Sequence, residues 1–185
     1  KIKNGYILAE AKNGLKGAKI NFPSISVGAT ENALLAACKA KGKTVLQNCA
    51  IEPEIKDLIF FLNKLGSIIN LKGRTITIYE NNLKSSNITH EVIFDRIEFG
   101  TYMIASALLA KKNIIIDKID TKIVQNEINV LKTIGVKIVK KKSSVIIKKD
   151  KKLKHLLPVG CSTYVWLESQ RGQRTRQEKM EKIMA

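Results

Sequence analysis

Apolar positions along this chain recur twice, in the same order and at the same spacing. A shift of 69 residues carries Gly66 onto Gly135 without a gap, and with it Leu62 onto Leu131, Ile59 onto Ile128 and Ile55 onto Val124. Upstream, Leu34 falls on Met103, Leu35-Ala36 on Ile104-Ala105, and Val45-Leu46 on Ile114-Ile115. Downstream, Ile69 falls on Ile138, Ile76 on Val145 and Ile78 on Ile147. Agreement over that many positions implies one supersecondary unit built twice. The period is too long for a solenoid, so it predicts duplicated subdomains of one globular fold. Function should then lie where the two copies differ.

Within the first copy, Gly5–Ala11 and Lys16–Phe22 read as strands around an Asn13-Gly14 turn. Thr30 is placed to cap an alanine- and leucine-rich helix that runs to Lys41 and stops at Gly42. Lys43–Asn48 reads as a strand, and Pro53 opens a second helix that ends at Gly66. Ile55, Leu58, Ile59, Leu62 and Leu65 give that helix one apolar face. Ser67–Leu71 and Thr75–Tyr79 form a hairpin across Lys72-Gly73-Arg74. The second copy predicts a strand at Thr89–Phe94, a buried helix at Ile97–Ala110 and a strand at Asn113–Asp117. An amphipathic helix at Lys122–Ile134 and a hairpin of Val136–Val139 with Ser144–Lys149 complete it. Each copy is therefore β-α-β-α-β-β, and the fold class is α/β, with buried helices and outer sheets. The divisions expected are 1–85, 86–150 and an atypical basic tail over 151–185.

That tail breaks the pattern. It holds Pro158, Gly160, the single Trp166, and Arg171, Arg174 and Arg176, three of the five arginines of the chain. So abrupt a change in usage reads as a different reading frame or an unrelated extension. The formal net charge is +17, and from Lys137 onward there are 14 basic against 4 acidic residues. Lysine supplies 28 of the 33 positive charges, spread among Ile and Asn, which fits a solvated surface under an AT-rich coding bias. Aromatics make up only 5% of the chain, too few for base-stacking platforms, and no RRM, KH or zinc-finger motif accompanies the charge. No nucleic-acid partner is expected.

No apolar run reaches the length of a membrane span, so no membrane partner is expected either. Cys38, Cys49 and Cys161 are widely spaced, without a CxxC pair, and read as buried free thiols. His90 and His155 are the only histidines, so no zinc constellation is available; no metal and no cofactor are expected. The thiols and the absence of a signal peptide before the first strand favour a cytoplasmic location. A start at Lys1 rather than Met suggests a fragment.

The copies differ most at the entrance to their first helix. Copy one has Ser26-Val27-Gly28-Ala29-Thr30-Glu31-Asn32 and copy two Asp95-Arg96-Ile97-Glu98-Phe99-Gly100-Thr101. Small residues and hydroxyls at a helix N-terminus leave backbone N–H groups open to an anion. Arg96 would add a bidentate contact to phosphate or carboxylate. A capped helix with a surface Asp-Arg pair explains the same residues. Glu52 and Glu54 flank Pro53, where acidic charge either complements the second helix's N-terminus or orients a hydroxylated ligand. His90, beside Glu91 in a predicted strand, reads as an exposed bystander.

Three segments carry a resemblance. Lys19-Ile20-Asn21-Phe22-Pro23-Ser24 running on through Ser26–Asn32, then Ile51-Glu52-Pro53-Glu54-Ile55-Lys56-Asp57-Leu58, then Asp95–Thr101 are similar, in order and spacing, to signatures of the UDP-N-acetylglucosamine 1-carboxyvinyltransferase family. Phe61–Gly66 fits as well, and the likeness covers about residues 5 to 150. The shikimate-pathway enolpyruvyl transferases share the repeat but differ in their substrate motifs. The resemblance implies two domains of three β-α-β-α-β-β subdomains each, of which this chain supplies about two subdomains. It implies transfer of the enolpyruvyl group of phosphoenolpyruvate to the 3-hydroxyl of UDP-N-acetylglucosamine. That reaction is the first committed step of peptidoglycan synthesis, and so belongs to cell-wall biogenesis, cell shape and division. It implies a UDP-sugar site at Ser24, Ile25, Ser26, Val27 and Gly28, with Glu52 near it and Asp95 and Arg96 in the cleft. The family often has lysine where Ser24 stands.

The family's reactive-cysteine loop and its Lys-Asn pair are expected upstream of this chain, and none of its three cysteines stands in that motif. The family's Phe-Pro-Thr-Asp is expected near residues 166–169, where this chain reads Trp166-Leu167-Glu168-Ser169. No catalytic residue is therefore assigned. The expectation is an enolpyruvyl transferase in truncated form, inactive alone, with a complementary fragment as its partner. The alternative is a non-catalytic UDP-sugar-binding or interaction remnant.

Overall fold

Two Asn-Gly pairs precede the first repeat, and the earlier one makes the hairpin. In the computed structural model, which describes residues 2–80 and 87–148, β1 (Ile2–Lys3) pairs antiparallel with β2 (Tyr6–Ile7). Asn4 and Gly5 between them have φ of 51° and 80°, the two positive values that suit a tight hairpin's twist. The strand expected over Gly5–Ala11 is therefore only two residues long. Asn13-Gly14 makes a separate turn, in which the Gly14 N–H donates to the Ala11 carbonyl at 2.9 Å.

The first repeat follows its predicted order. It consists of β3 (Lys19–Asn21), α1 (Val27–Ala37), β4 (Thr44–Gln47), α2 (Pro53–Lys64), β5 (Ile68–Lys72) and β6 (Thr75–Tyr79). The sheet order is β3-β4-β6-β5, with β3 parallel to β4 and the other pairs antiparallel. Alternation sends Thr44 and Leu46 of β4, and Ile76 and Ile78 of β6, to one face. Leu34 and Ala37 of α1 and Ile55, Ile59 and Leu62 of α2 close over that face in a single core with Cys38, Cys49 and Ile69. Cys38 and Cys49 are buried free thiols, as their apolar surroundings predict. Helix α1 stops at Ala37, earlier than its composition suggests.

The second repeat consists of α3 (Arg96–Leu109), β7 (Ile114–Asp117), α4 (Gln125–Thr133), β8 (Ile138–Lys140) and β9 (Ser144–Ile147), with sheet order β7-β9-β8. Its core gathers Phe99, Met103, Val124, Ile128, Leu131, Val136, Ile138, Val145 and Ile147. Helix α4 starts at Gln125 rather than Lys122, after a turn through Thr121–Val124. The strand expected at Thr89–Phe94 does not form. His90 is held by its side chain instead: Nε2 lies 3.1 Å from Asp57 Oδ2, and its ring packs against Phe60 and Phe61 of α2. A side-chain anchor on a helix replaces a ladder, and His90 is not an exposed bystander.

The repeat is real, but it is not gapless. Leu34 and Met103 are both fully buried, as are Ile55 and Val124, at the 69-residue spacing. Gly66 and Gly135, each just past a helix, share φ of 97°, a value that favours glycine. The middle strand is displaced by one residue. Leu46 pairs with Ile76, whereas the partner of Val145 is Ile116, not Ile115. A one-residue slip would turn every side chain of the strand over. The longer α3 and its connection insert the extra residue before β7, and the tighter turn at Thr121–Val124 removes it before α4. Asn48 and Lys118 have φ of 58° and 57°, marking equivalent strand ends 70 residues apart.

The chain divides into two compact units between Glu91 and Val92. The 151–185 segment lies outside the described residues, and with it Cys161, His155, Trp166 and the three late arginines. No helix among the described residues is long and apolar enough to cross a membrane.

Candidate functional site

Because β3 and β4 are parallel, the chain leaves both at the same edge of the sheet. Helix α1 begins after the first and α2 after the second. The carboxyl ends of parallel strands are where open α/β sheets present loops to ligands. Ser24 and Gly28 are exposed there; Ile25, Ser26 and Val27 are half-buried.

Ser26, not Thr30, caps α1. Its backbone is extended at φ −143° and ψ 125°, and the Ala29 N–H donates to its Oγ at 3.2 Å. The Val27 and Gly28 N–H groups fall in the first turn, where a helix has no internal acceptor to offer them. The partial positive charge of the helix start is therefore left with a neutral cap. A Cβ built on Gly28 would meet nothing within 4 Å. Packing among the described residues therefore does not demand glycine there.

Thr30 lies one turn further in and is fully buried. Its Oγ1 donates to the Ser26 carbonyl at 2.7 Å and accepts the Ala50 N–H at 3.0 Å. One hydroxyl thus joins the start of α1 to the loop that leads into α2. That loop has two further ties. Asn48, in the left-handed conformation that asparagine tolerates, donates from Nδ2 to the Phe22 carbonyl at 2.9 Å. Cys49 donates its N–H to the Arg74 carbonyl at 2.9 Å, and Arg74 Nη1 returns a bond to the Cys49 carbonyl at 3.0 Å. Glu52 ends the loop at the N-cap position of α2, half-buried. Its carboxylate caps nothing in the helix and accepts the Ile51 N–H at 2.8 Å. Burial pushes the Cys49 thiol above its ordinary value, outweighing the Ile76 backbone bond that lowers it, so this edge holds no reactive thiolate.

The second copy solves the same positions differently. Asp95 caps α3, accepting the Ile97 and Glu98 N–H groups at 2.7 and 3.1 Å. A carboxylate thus sits on the amides that would greet an anion. Arg96 is only 7% exposed, so it is a buried side chain rather than one half of a surface pair. Phe99, 3% exposed, stands where Thr30 stands in copy one. Ser143 replaces Arg74, yet the backbone bond persists as Ile119 N–H to the Ser143 carbonyl at 3.2 Å. Ser24–Gly28 and Glu52 thus come together in the first unit, while Asp95 and Arg96 belong to the second. Sequence reasoning missed Thr30's bridging role, Asn48 and Arg74. The four-residue spacing of Ser26 and Thr30, which suits a hydroxyl bonding back to a carbonyl, was the available signal for the first.

The sequence model of the EPSP synthase (3-phosphoshikimate 1-carboxyvinyltransferase) family matches residues 1–163. The chain belongs to this family. A protein of Pelagibacter ubique named UDP-N-acetylglucosamine 1-carboxyvinyltransferase is 52% identical over 158 residues, 84% of this chain and 37% of that protein. One of the same name from Endomicrobium trichonymphae is 43% identical over 153 residues, 83% of this chain and 36% of its own length. The chain thus spans little more than a third of these relatives. Among solved structures, the enolpyruvyl transferase NikO from Streptomyces tendae superposes with a TM-score of 0.66 at 25% identity, covering 76% of this chain and 36% of that one. EPSP synthase from Acinetobacter baumannii, at 18% identity and a TM-score of 0.57 over 84% of this chain and 37% of that one, shares the fold. The repeated α/β subdomain and the enolpyruvyl transferase family therefore stand, with the chain matching part of a longer architecture.

Proposed function

We propose that this chain is the nucleotide-sugar-binding part of a UDP-N-acetylglucosamine enolpyruvyl transferase. In the reaction, the sugar's 3-hydroxyl loses its proton and its oxygen adds to C2 of phosphoenolpyruvate as C3 gains a proton. C3 then loses a proton as the C2–O bond to phosphate breaks, which restores the double bond and releases phosphate. The observation that carries the reading is the neutral cap of α1 beside the Glu52 loop. Ser26 leaves the first-turn amides of Val27 and Gly28 to an anion, and a Cβ at Gly28 would meet no described atom within 4 Å. Ser24, Ile25, Ser26, Val27 and Gly28 would line the diphosphate end, and Glu52 would accept a hydroxyl of the sugar or ribose. Asp95 and Arg96, in the second unit, are the cleft residues that the family likeness suggests.

The identity to relatives of that name supports the substrate pair, and peptidoglycan synthesis in the cytoplasm is the setting that follows. Calorimetry with UDP-N-acetylglucosamine tests the reading, alongside phosphate release in the presence of phosphoenolpyruvate. Binding without turnover is expected from the chain as it stands. No heat from a folded chain would refute the site, and robust turnover would refute the view that the chemistry needs parts beyond these two repeats.

A further inference from the structure

We infer that Thr30 is a positioning residue of the nucleotide-sugar site, setting the Ser26–Gly28 turn against the Glu52 loop through one shared hydroxyl. The inference rests on the site reading above and names a residue that reading does not need to touch the ligand. The hydroxyl donates to the Ser26 carbonyl at 2.7 Å and accepts the Ala50 N–H at 3.0 Å, at zero exposure. The two segments are 20 residues apart in sequence. Each carries residues assigned to the ligand, so movement of one against the other changes the distance between the amides of α1 and the Glu52 carboxylate. A buried bond that fixes this distance before binding reduces what binding must order.

The second repeat shows what stands at the equivalent positions when the helix start is capped by a carboxylate. It has Phe99 where Thr30 stands, and Phe99 is 3% exposed, in a sheet that among the described residues lacks the counterpart of β3. At the position of Ala50 it has Asp120, whose Oδ1 accepts the Lys122 N–H within its own turn at 2.9 Å. That copy closes its core around Phe99 with no hydroxyl at this position, over three strands rather than four. At this helix position a hydroxyl stands only in the copy whose helix start has a neutral cap, and its two bonds join the two segments assigned to the ligand. The side chain that bridges is not exposed, so it acts through Ser26 and Ala50 rather than on the ligand.

The test compares Thr30→Val, which keeps the shape and removes the hydroxyl, with Thr30→Ser, which restores it, and Thr30→Ala as a second deletion. Ile78→Val is a core change in β6, paired with Thr44 at the start of β4, that lowers Tm without touching the bridge. Hydrogen exchange at the Ala50 amide and calorimetry with UDP-N-acetylglucosamine are read for each. Expected are faster Ala50 exchange and at least tenfold weaker binding in Thr30→Val or Thr30→Ala, recovery of both to within threefold in Thr30→Ser, and unchanged affinity in Ile78→Val. Wild-type affinity in Thr30→Val or Thr30→Ala would overturn the inference and leave the site intact. Equal weakening by Ile78→Val would overturn it too, reducing Thr30 to a contributor to stability. A wild-type chain that does not bind would instead remove the site, and the role of Thr30 in it.

Discussion

His90 Nε2 lies 3.1 Å from Asp57 Oδ2, and both side chains are largely buried, at 8% and 15% exposure. A carboxylate only accepts, so Nε2 carries the proton and donates. The ring centroid is 5.9 Å from that of Phe60 and 5.1 Å from that of Phe61. A hydrogen bond to a charged group is worth about 1.5–3 kcal/mol when buried. Replacing His90 with Ala should therefore cost about 2 kcal/mol in urea unfolding, because Asp57 loses its donor. His90→Phe should keep the ring packing and still lose most of that. Two variants with unchanged midpoints would show that the anchor contributes nothing.

The caps of α1 and α3 differ by one charge, and that difference is transferable. Asp caps a helix about as well as Ser, and a negative charge at the helix start adds about 0.3–1 kcal/mol. Ser26→Asp, which gives α1 the cap that Asp95 gives α3, should leave the chain as stable or slightly more so. It should also weaken UDP-N-acetylglucosamine binding at least tenfold, about 1.4 kcal/mol, with a smaller loss at high salt. Unchanged affinity in the Asp variant would mean that the ligand's anionic group does not face this helix start.

The displaced strand makes a second contrast. The gapless repeat aligns Leu46 with Ile115, yet Leu46 is fully buried and Ile115 is 64% exposed. Leu46→Ala should cost about 2–5 kcal/mol as a core truncation. Ile115→Ala should stay within about 0.5 kcal/mol, as surface changes do. Comparable losses in thermal or urea unfolding would restore the gapless alignment.

Helix faces, hairpins and the order of elements were legible because each rests on a local period, and Ile55, Ile59 and Leu62 meet the core at the spacing that predicts them. The β7 register was not, because Ile114, Ile115 and Ile116 are identical side chains and a run of three gives no alternation to read. Thr89–Phe94 has strand composition, but a contact from His90 to a helix more than 30 residues earlier decides its state. The α1 edge was legible as a cluster of small residues. Its coupling to the Glu52 loop was not, since the Thr30–Ala50 bond exists only once β3 and β4 lie side by side.

The buried thiols set a pH limit on the first unit. Burial raises both Cys38 and Cys49 above the ordinary thiol value of 9.0, against smaller lowering effects from their neighbours. In the unfolded chain each would ionise near its ordinary value, while the folded chain still holds its protons. The folded state then binds more protons than the unfolded one, so stability falls as pH rises. The contribution is full below the unfolded value of about 9 and is lost as pH climbs toward the raised folded values. Urea midpoints should be flat on this account up to about pH 8 and decline above it, and Cys38→Ala with Cys49→Ala should flatten the decline even as it lowers the plateau. Peptide mapping after iodoacetamide at pH 8 should find both residues unmodified in the folded chain and modified in urea. Rapid labelling of Cys49 in the folded chain would show that the Asn48–Glu52 loop opens far more readily than its hydrogen bonds to Thr30 and Arg74 imply.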